Sequence, residues 1–289
     1  MADADALFAR AVAHLTGQGA PRDLAQARAF FGQAGAAGRK DAAVIHCNFV
    51  TSGLGGEPDW RQGLALLRQL APVSPRSRRE LQVIEAMSVT PAGDPATPPS
   101  GEVISLSPHI THFPALFTPA ECRYLIEAAT PMLTPSVVVD PLTGRQRHDP
   151  VRTSDGTGFT WPLENPAVHA LNRRLAAASG TAPEQGEPLQ ILRYRPGNQY
   201  RTHYDYIPGF ANQRVATMLV WLNEDYEGGE THFPSADLSL RYPAGDAILF
   251  RNVTEAGLKD PASAHAGLPV KSGEKLIASR WIRARRFEG

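Results

Sequence analysis

The triplet His203-Tyr204-Asp205 offers an imidazole and a carboxylate one residue apart. The run 200–206 reads as a strand, and alternation puts His203 and Asp205 on one face with Tyr204 on the other. Such a pair, completed by a distant histidine, forms the facial triad that holds non-haem iron(II) with three positions open. The triplet alone is a weak signal, because a lone strand histidine is commonly a core residue. Two histidines compete for the third place. His265 stands in Ser263-Ala264-His265-Ala266-Gly267, among small residues and beside an apolar stretch. His232 follows Thr231, and if Thr231 points inward, alternation turns His232 outward. His265 is therefore preferred.

Ten residues beyond His265, Lys275 opens the run Lys275-Leu276-Ile277-Ala278-Ser279-Arg280-Trp281. On a strand, Lys275, Ile277, Ser279 and Trp281 share one face, and Arg280 points the other way. A lysine on an apolar inward face is costly to bury unless an anion compensates it. The alternative is a solvated lysine at a strand start.

The elements that must position these residues are β-rich. Strands are expected at 189–194, 200–206, 215–222, 230–233, 238–241, 247–251 and 275–283. Turn pairs such as Pro196-Gly197, Gly228-Gly229, Gly245-Asp246 and Ser272-Gly273 separate them. Many short strands at this spacing predict a sandwich or jelly-roll barrel. Two helices precede them. Thr118-Pro119-Ala120-Glu121 is a capping box opening a helix to about Thr130, and Asn165-Pro166 opens another that ends before Gly180.

Farther upstream, Pro91, Pro95, Pro98 and Pro99 crowd the stretch 90–101, which predicts an extended linker and a domain boundary. Before it, Gly17, Gly19 and Asp23 recur as Gly53, Gly55 and Asp59, a constant offset. Helical stretches at 4–15 and 24–35, then 42–50 and 60–70, flank the two glycine turns. A fixed offset of this kind marks stacked helix–turn–helix units. The pattern resembles SEL-type, tetratricopeptide-like repeats, with a charged helix near 76–87 following them.

Several motifs in one order carry a wider resemblance. These are L-Q-I-L-R-Y at 189–194, H-Y-D at 203–205, G-G-E-T-H-F-P at 228–234, G-D-A-I-L-F at 245–250, S-A-H-A-G-L-P-V ending at Val270, and G-E-K-L-I-A-S-R-W-I-R thereafter. The region from about Phe113 to Arg283 resembles the catalytic domain of the prolyl 4-hydroxylase family, iron(II)- and 2-oxoglutarate-dependent dioxygenases. The resemblance implies an α+β chain whose catalytic domain (102–289) is a double-stranded β-helix, or jelly roll, with flanking helices. An all-α repeat domain (1–89) and the linker (90–101) precede it.

The resemblance also implies roles. His203, Asp205 and His265 would bind iron(II) as the catalytic triad. Lys275 would pair with the C5 carboxylate of 2-oxoglutarate, with Tyr194 and Thr231 hydrogen-bonding the same cosubstrate. Arg152, in R-T-S-D-G, and Trp281 would meet the substrate. Tyr194, Thr231 and Trp281 could equally be core residues, and Arg152 a surface arginine. Dioxygen is the other cosubstrate, and ascorbate dependence is a family expectation. The implied reaction hydroxylates an unactivated carbon and releases succinate and carbon dioxide. A prolyl residue in a peptide or protein is the first substrate class; a free amino acid such as proline, or another small metabolite, is the second. A non-catalytic interaction protein is the rival of a different kind. The repeat domain has three available roles: substrate binding, dimerisation, or stabilising the barrel.

Composition adds exclusions. Lys and Arg total 29 and so do Asp and Glu, giving a formal net charge of zero. That balance supplies no electrostatic reason for a nucleic-acid or membrane-surface partner. The apolar runs are too short to cross a bilayer, and no secretory signal is visible. Cys47 and Cys122 are expected as buried free thiols, and the cytoplasm is the default location.

Overall fold

The computed structural model describes residues 3–139, 146–148 and 151–288. The chain divides into two units, 1–97 with 159–173, and 98–158 with 174–289.

The first unit is helical: α1 (Ala4–Thr16), α2 (Leu24–Ala36), α3 (Lys40–Ser52), α4 (Trp60–Leu70) and α5 (Pro75–Ala86). The recurring residues do the same work twice. Gly17 and Gly53 end α1 and α3 in the left-handed conformation, with φ of 75° and 76°, which glycine adopts without a Cβ penalty. Asp23 and Asp59 cap α2 and α4 by accepting backbone N–H bonds. Gly55 is required for a different reason: a Cβ there would sit 2.1 Å from the Leu24 carbonyl oxygen. Between the helices lie Phe31, Phe49, Ala27, Ala34 and Ala42, all fully buried, with Phe31 and Phe49 edge to face at 5.5 Å.

The proline-rich stretch departs from the expected extended linker. It folds back on itself, with Thr90 N–H donating to Asp94 O at 2.8 Å and Ala96 N–H to Ser88 O at 3.0 Å. Arg173 Nε reaches Asp94 at 2.9 Å. Gly93 lies so close to the Trp60 ring that a Cβ would stand 2.5 Å from it. Pro91 stands in a turn and Pro95 in an isolated bridge with Val89, so proline density does not prevent an ordered fold-back. The boundary is consequently not a single cut at 90–101, because residues through Thr97 and the segment 159–173 group with the helices.

In the second unit the strands are β1 (Glu102–Leu106), β2 (His109–Phe113), β3 (Thr134–Pro135), β4 (Val137–Val139), β5 (Gln146–His148) and β6 (Asp155–Gly158). They continue as β7 (Gln190–Tyr194), β8 (Tyr200–His203), β9 (Arg214–Trp221), β10 (Tyr226–Gly228), β11 (Thr231–Phe233) and β12 (Leu238–Leu240). The last are β13 (Ala247–Arg251), β14 (His265–Gly267), β15 (Val270–Gly273) and β16 (Lys275–Arg283). An eight-stranded antiparallel sheet runs β1-β2-β13-β9-β16-β7-β6-β3, and a four-stranded one runs β12-β11-β14-β8. Side chains of both enclose one core: Leu192, Leu219, Trp221 and Ile277 from the large sheet meet Phe233 and Leu240 from the small one. This is the jelly roll, α+β once its helices are counted.

Helix α6 (Pro119–Ala129) begins with the capping box in full, Thr118 and Glu121 bonding each other's backbone N–H, and Arg174 pairs with Glu121 at 2.7 Å. Helix α7 (Pro166–Ser179) follows Asn165, whose side chain accepts from Val168 N–H at 3.0 Å.

The glycine- and arginine-rich stretch 140–158, whose composition suggests a mobile lid, divides in two. Residues 140–145, 149 and 150 lie outside the described residues. Its end is no loop, because β6 pairs with β3 and β7 inside the large sheet. Among the described residues no helix is long and apolar enough to cross a membrane.

Candidate metal centre

Strand β14 lies beside β8 in the small sheet, with His265 directly opposite His203. Their rings stand 4.3 Å apart, centroid to centroid. His203 Nε2 is 3.7 Å from one Asp205 oxygen, and His265 Nε2 is 3.7 Å from the other. Among the described residues these three form the one group of histidine, cysteine and acidic side chains converging on a common point. His232 instead turns to Ser239, at 2.9 Å, as alternation expects.

Both imidazoles are oriented alike. Nδ1 of His203 lies 2.9 Å from Arg201 O, and Nδ1 of His265 lies 3.0 Å from Ser263 O. A carbonyl can only accept, so Nδ1 carries the proton and Nε2 presents its lone pair to the shared point. Burial, then the neighbouring His265, pushes the His203 imidazole down to about 4. It is neutral, as a ligand must be. Burial pushes the Asp205 carboxyl up, but the two imidazoles and the Thr217 hydroxyl together hold it below the usual carboxylate range. Two imidazoles and one carboxylate, each anchored at its outer atom, suit a divalent iron with open positions.

Asp205 is not placed by the strand pleat. Strand β8 stops at His203, so the alternation expected through 206 ends too early to explain the pairing. What fixes the carboxylate is Thr217 of β9, whose hydroxyl donates to it at 2.6 Å and accepts from Asn252 Nδ2 at 2.9 Å.

Across the pocket, Lys275, Ile277, Ser279 and Trp281 of β16 all face inward, and Leu192, Leu219, Tyr194 and Thr231 join them. Lys275 is 3% exposed. Its Nζ donates to Gly229 O at 2.7 Å, and burial pushes its pKa down to about 8 despite the attraction of Glu230. An ammonium satisfied by one carbonyl retains two donors and an uncompensated charge, so the pocket is prepared for an anion. Arg280 faces away and donates to Pro183 O at 2.8 Å. Tyr194 stands opposite Lys275 in the β7–β16 register, and burial pushes its phenol up. Thr231 is also buried.

Arg152 lines the same pocket, with Nε donating to Ser154 at 3.1 Å. The Trp281 indole carries the Arg214 guanidinium 3.8 Å from its ring, while its Nε1 has no hydrogen-bond partner among the described residues. All eight residues singled out in the sequence thus line one pocket.

Sequence reasoning passed over three neighbours of the metal point: Thr217, Tyr200, stacked on His203 at 3.5 Å, and Phe250, edge-on to His265 at 4.6 Å. Thr217 sits in a predicted strand, so its face could have put it forward; Tyr200 differs in parity from His203, and the pairing of β8 with β14 is irregular between them. Phe250 looks like any core aromatic.

Residues 189–283 match the model of the 2OG-Fe(II) oxygenase superfamily. Prolyl 4-hydroxylase 1 of Arabidopsis thaliana is 40% identical over 201 residues, covering 63% of this chain and 71% of that protein. Probable prolyl 4-hydroxylase 10 of the same plant is 35% identical over 211 residues, covering 65% and 73%. Among solved structures, the viral collagen prolyl hydroxylase of Paramecium Bursaria Chlorella virus-1 is 30% identical, with a TM-score of 0.49 over 61% of this chain and 96% of that one. The chain belongs to the prolyl 4-hydroxylase family of dioxygenases, which use iron(II), 2-oxoglutarate and dioxygen.

Proposed function

We propose that this dioxygenase hydroxylates a prolyl residue within a peptide or protein, releasing succinate and carbon dioxide. The observation that carries the reading is the convergence of His203, Asp205 and His265 opposite a buried lysine. The target is supported by the names of the relatives, which are prolyl 4-hydroxylases.

In this reading His203, Asp205 and His265 hold iron(II), each through the atom its second hydrogen bond leaves free. Iron(II) with 2-oxoglutarate supplies the oxidant for an unactivated C–H bond. The protein's own work is positioning and exclusion. Lys275 directs its remaining donors at the C5 carboxylate of 2-oxoglutarate, and the Tyr194 and Thr231 hydroxyls donate to the same molecule. Leu192, Leu219 and Ile277 keep the pocket wall apolar and exclude water. Trp281 and Arg152 orient the substrate, the first by its ring and free N–H, the second by its guanidinium. Ascorbate sustains turnover. The helical unit carries SEL-type repeats that recognise a protein substrate or pair two copies of the chain, and the enzyme works in the cytoplasm.

Incubation with iron(II), 2-oxoglutarate and proline-containing peptides tests this by mass spectrometry. The expected result is one added oxygen on proline, matched by succinate. Oxygen gained by free proline alone, with peptides untouched, would move the reading to an amino-acid hydroxylase.

A further inference from the structure

Strand β16 does not end at Trp281. Two residues on, past a register irregularity between Ile282 and Arg283, Arg283 lines a second cleft. This cleft has a volume of about 470 Å³ and is lined by Phe210, Asn212, Arg283, Arg285, Arg286 and Phe287, with Glu288 at its rim.

The cleft has fixed walls. The Arg283 guanidinium lies between two rings, 5.7 Å from the centre of Phe210 and 5.4 Å from that of Phe287. Asn212 clamps the strand end from the β8–β9 loop: its oxygen accepts from Arg285 N–H at 2.9 Å, and its Nδ2 donates to Arg286 O at 2.8 Å. Phe287 N–H donates to Glu184 O at 2.8 Å. Phe210 is nevertheless 59% exposed, a large ring left in water.

The charges are lopsided. Arg283 is met from behind by Glu187, at 2.6 Å, but that carboxylate is shared with Arg214, also at 2.6 Å, so the trio keeps one positive charge. Arg285 and Arg286 are exposed, and the Arg285 guanidinium donates to Ala211 O at 3.5 Å. Against those two cations the lining offers one acid, Glu288. An exposed ring beside two exposed guanidinium groups that outnumber the acids of the lining fits an acidic side chain carried on an apolar stem.

We propose that this cleft receives an acidic stretch of the peptide substrate flanking the residue that reacts. The inference rests on the peptide reading above. It adds that the enzyme selects proline with nearby Asp or Glu, through Arg285 and Arg286, outside the metal and cosubstrate machinery.

The test uses fluorescein-labelled peptides with one central proline, flanked by Asp-Glu or by Asn-Gln on either side. Anisotropy is read with the full chain, iron(II) and 2-oxoglutarate, without oxygen. The acidic peptide is expected to bind about tenfold more tightly at low salt, the scale of two exposed ion pairs. The advantage should fade in high salt and vanish in R285A/R286A. That variant should bind the neutral peptide as before and form peptide-independent succinate at the unaltered rate. Equal affinity for the two peptides, or a preference that survives in the double variant, would overturn the proposal. The two readings fail separately. Acid-selective binding without hydroxylation removes only the prolyl target, and indifferent hydroxylation of both peptides removes only the cleft.

Discussion

The two ends of the pocket are built by different means. At the metal end, β8 and β14 are short, a register irregularity interrupts their pairing, and one ligand lies past the strand end. Precision there comes from hydrogen bonds at the outer atom of each ligand: each imidazole Nδ1–H donates to a backbone carbonyl, and the Asp205 carboxylate accepts from Thr217. At the lysine end, Lys275 begins a nine-residue strand in which every residue is buried. Position there comes from the sheet, and the charge is left with one carbonyl. The first end is satisfied before its ion arrives, while the second is held under electrostatic cost until an anion does.

That contrast predicts unequal responses. The largest is expected from H265A. Outer-shell changes alone cost about 10–100-fold in metal affinity, so loss of a ligand should cost more than about a hundredfold in iron binding and succinate formation. Equilibrium dialysis and coupled turnover measure both. K275M should come next, acting on the cosubstrate alone. Truncating one partner of a buried charge pair costs about 2–5 kcal/mol, a rise in KM for 2-oxoglutarate of about thirtyfold or more. Because an unpaired buried charge is removed, ligand-free K275M should melt at a higher temperature than the parent. An alanine at position 265 brings no such gain.

T217V is smaller and belongs to the metal end. The Asp205 carboxylate loses its donor, and iron affinity should fall about tenfold, with KM for 2-oxoglutarate little changed. The smallest effect is a pH response at the lysine end. Burial lowers Lys275 from its ordinary 10.5 to about 8. Between those values the unfolded chain binds more protons than the ligand-free fold, so the fold should gain stability as pH rises through that window. The cosubstrate needs the charged lysine, so its KM should rise by a few-fold above about pH 8. Thermal melts and KM across pH, with and without 2-oxoglutarate, check the two signs.

Legibility in the sequence followed the same division. The inward face of β16 could be read by parity because the strand is long and regular. The nearness of His203 and Asp205 was also readable, but the pleat is not its cause; a hydroxyl on β9 is, and no local pattern announces a contact between residues 205 and 217. The paired caps of the helical unit were visible because glycine and aspartate act through the backbone. Strands β1 and β2 lay hidden in proline- and histidine-bearing sequence, and they form because β13 offers an edge. The proline-rich stretch looked extended because its contacts with Trp60 and Arg173 come from distant sequence. Type and parity carried what was local; long-range hydrogen bonds supplied the rest.

Anaerobic dialysis against iron(II), followed by 2-oxoglutarate titration of the same samples, tests the pocket most directly. The parent chain should bind one iron and then 2-oxoglutarate, H265A should retain no stoichiometric iron, and K275M should keep its iron but lose tight cosubstrate binding. Stoichiometric iron in H265A, or undiminished 2-oxoglutarate affinity in K275M, would contradict the assignment of the two ends.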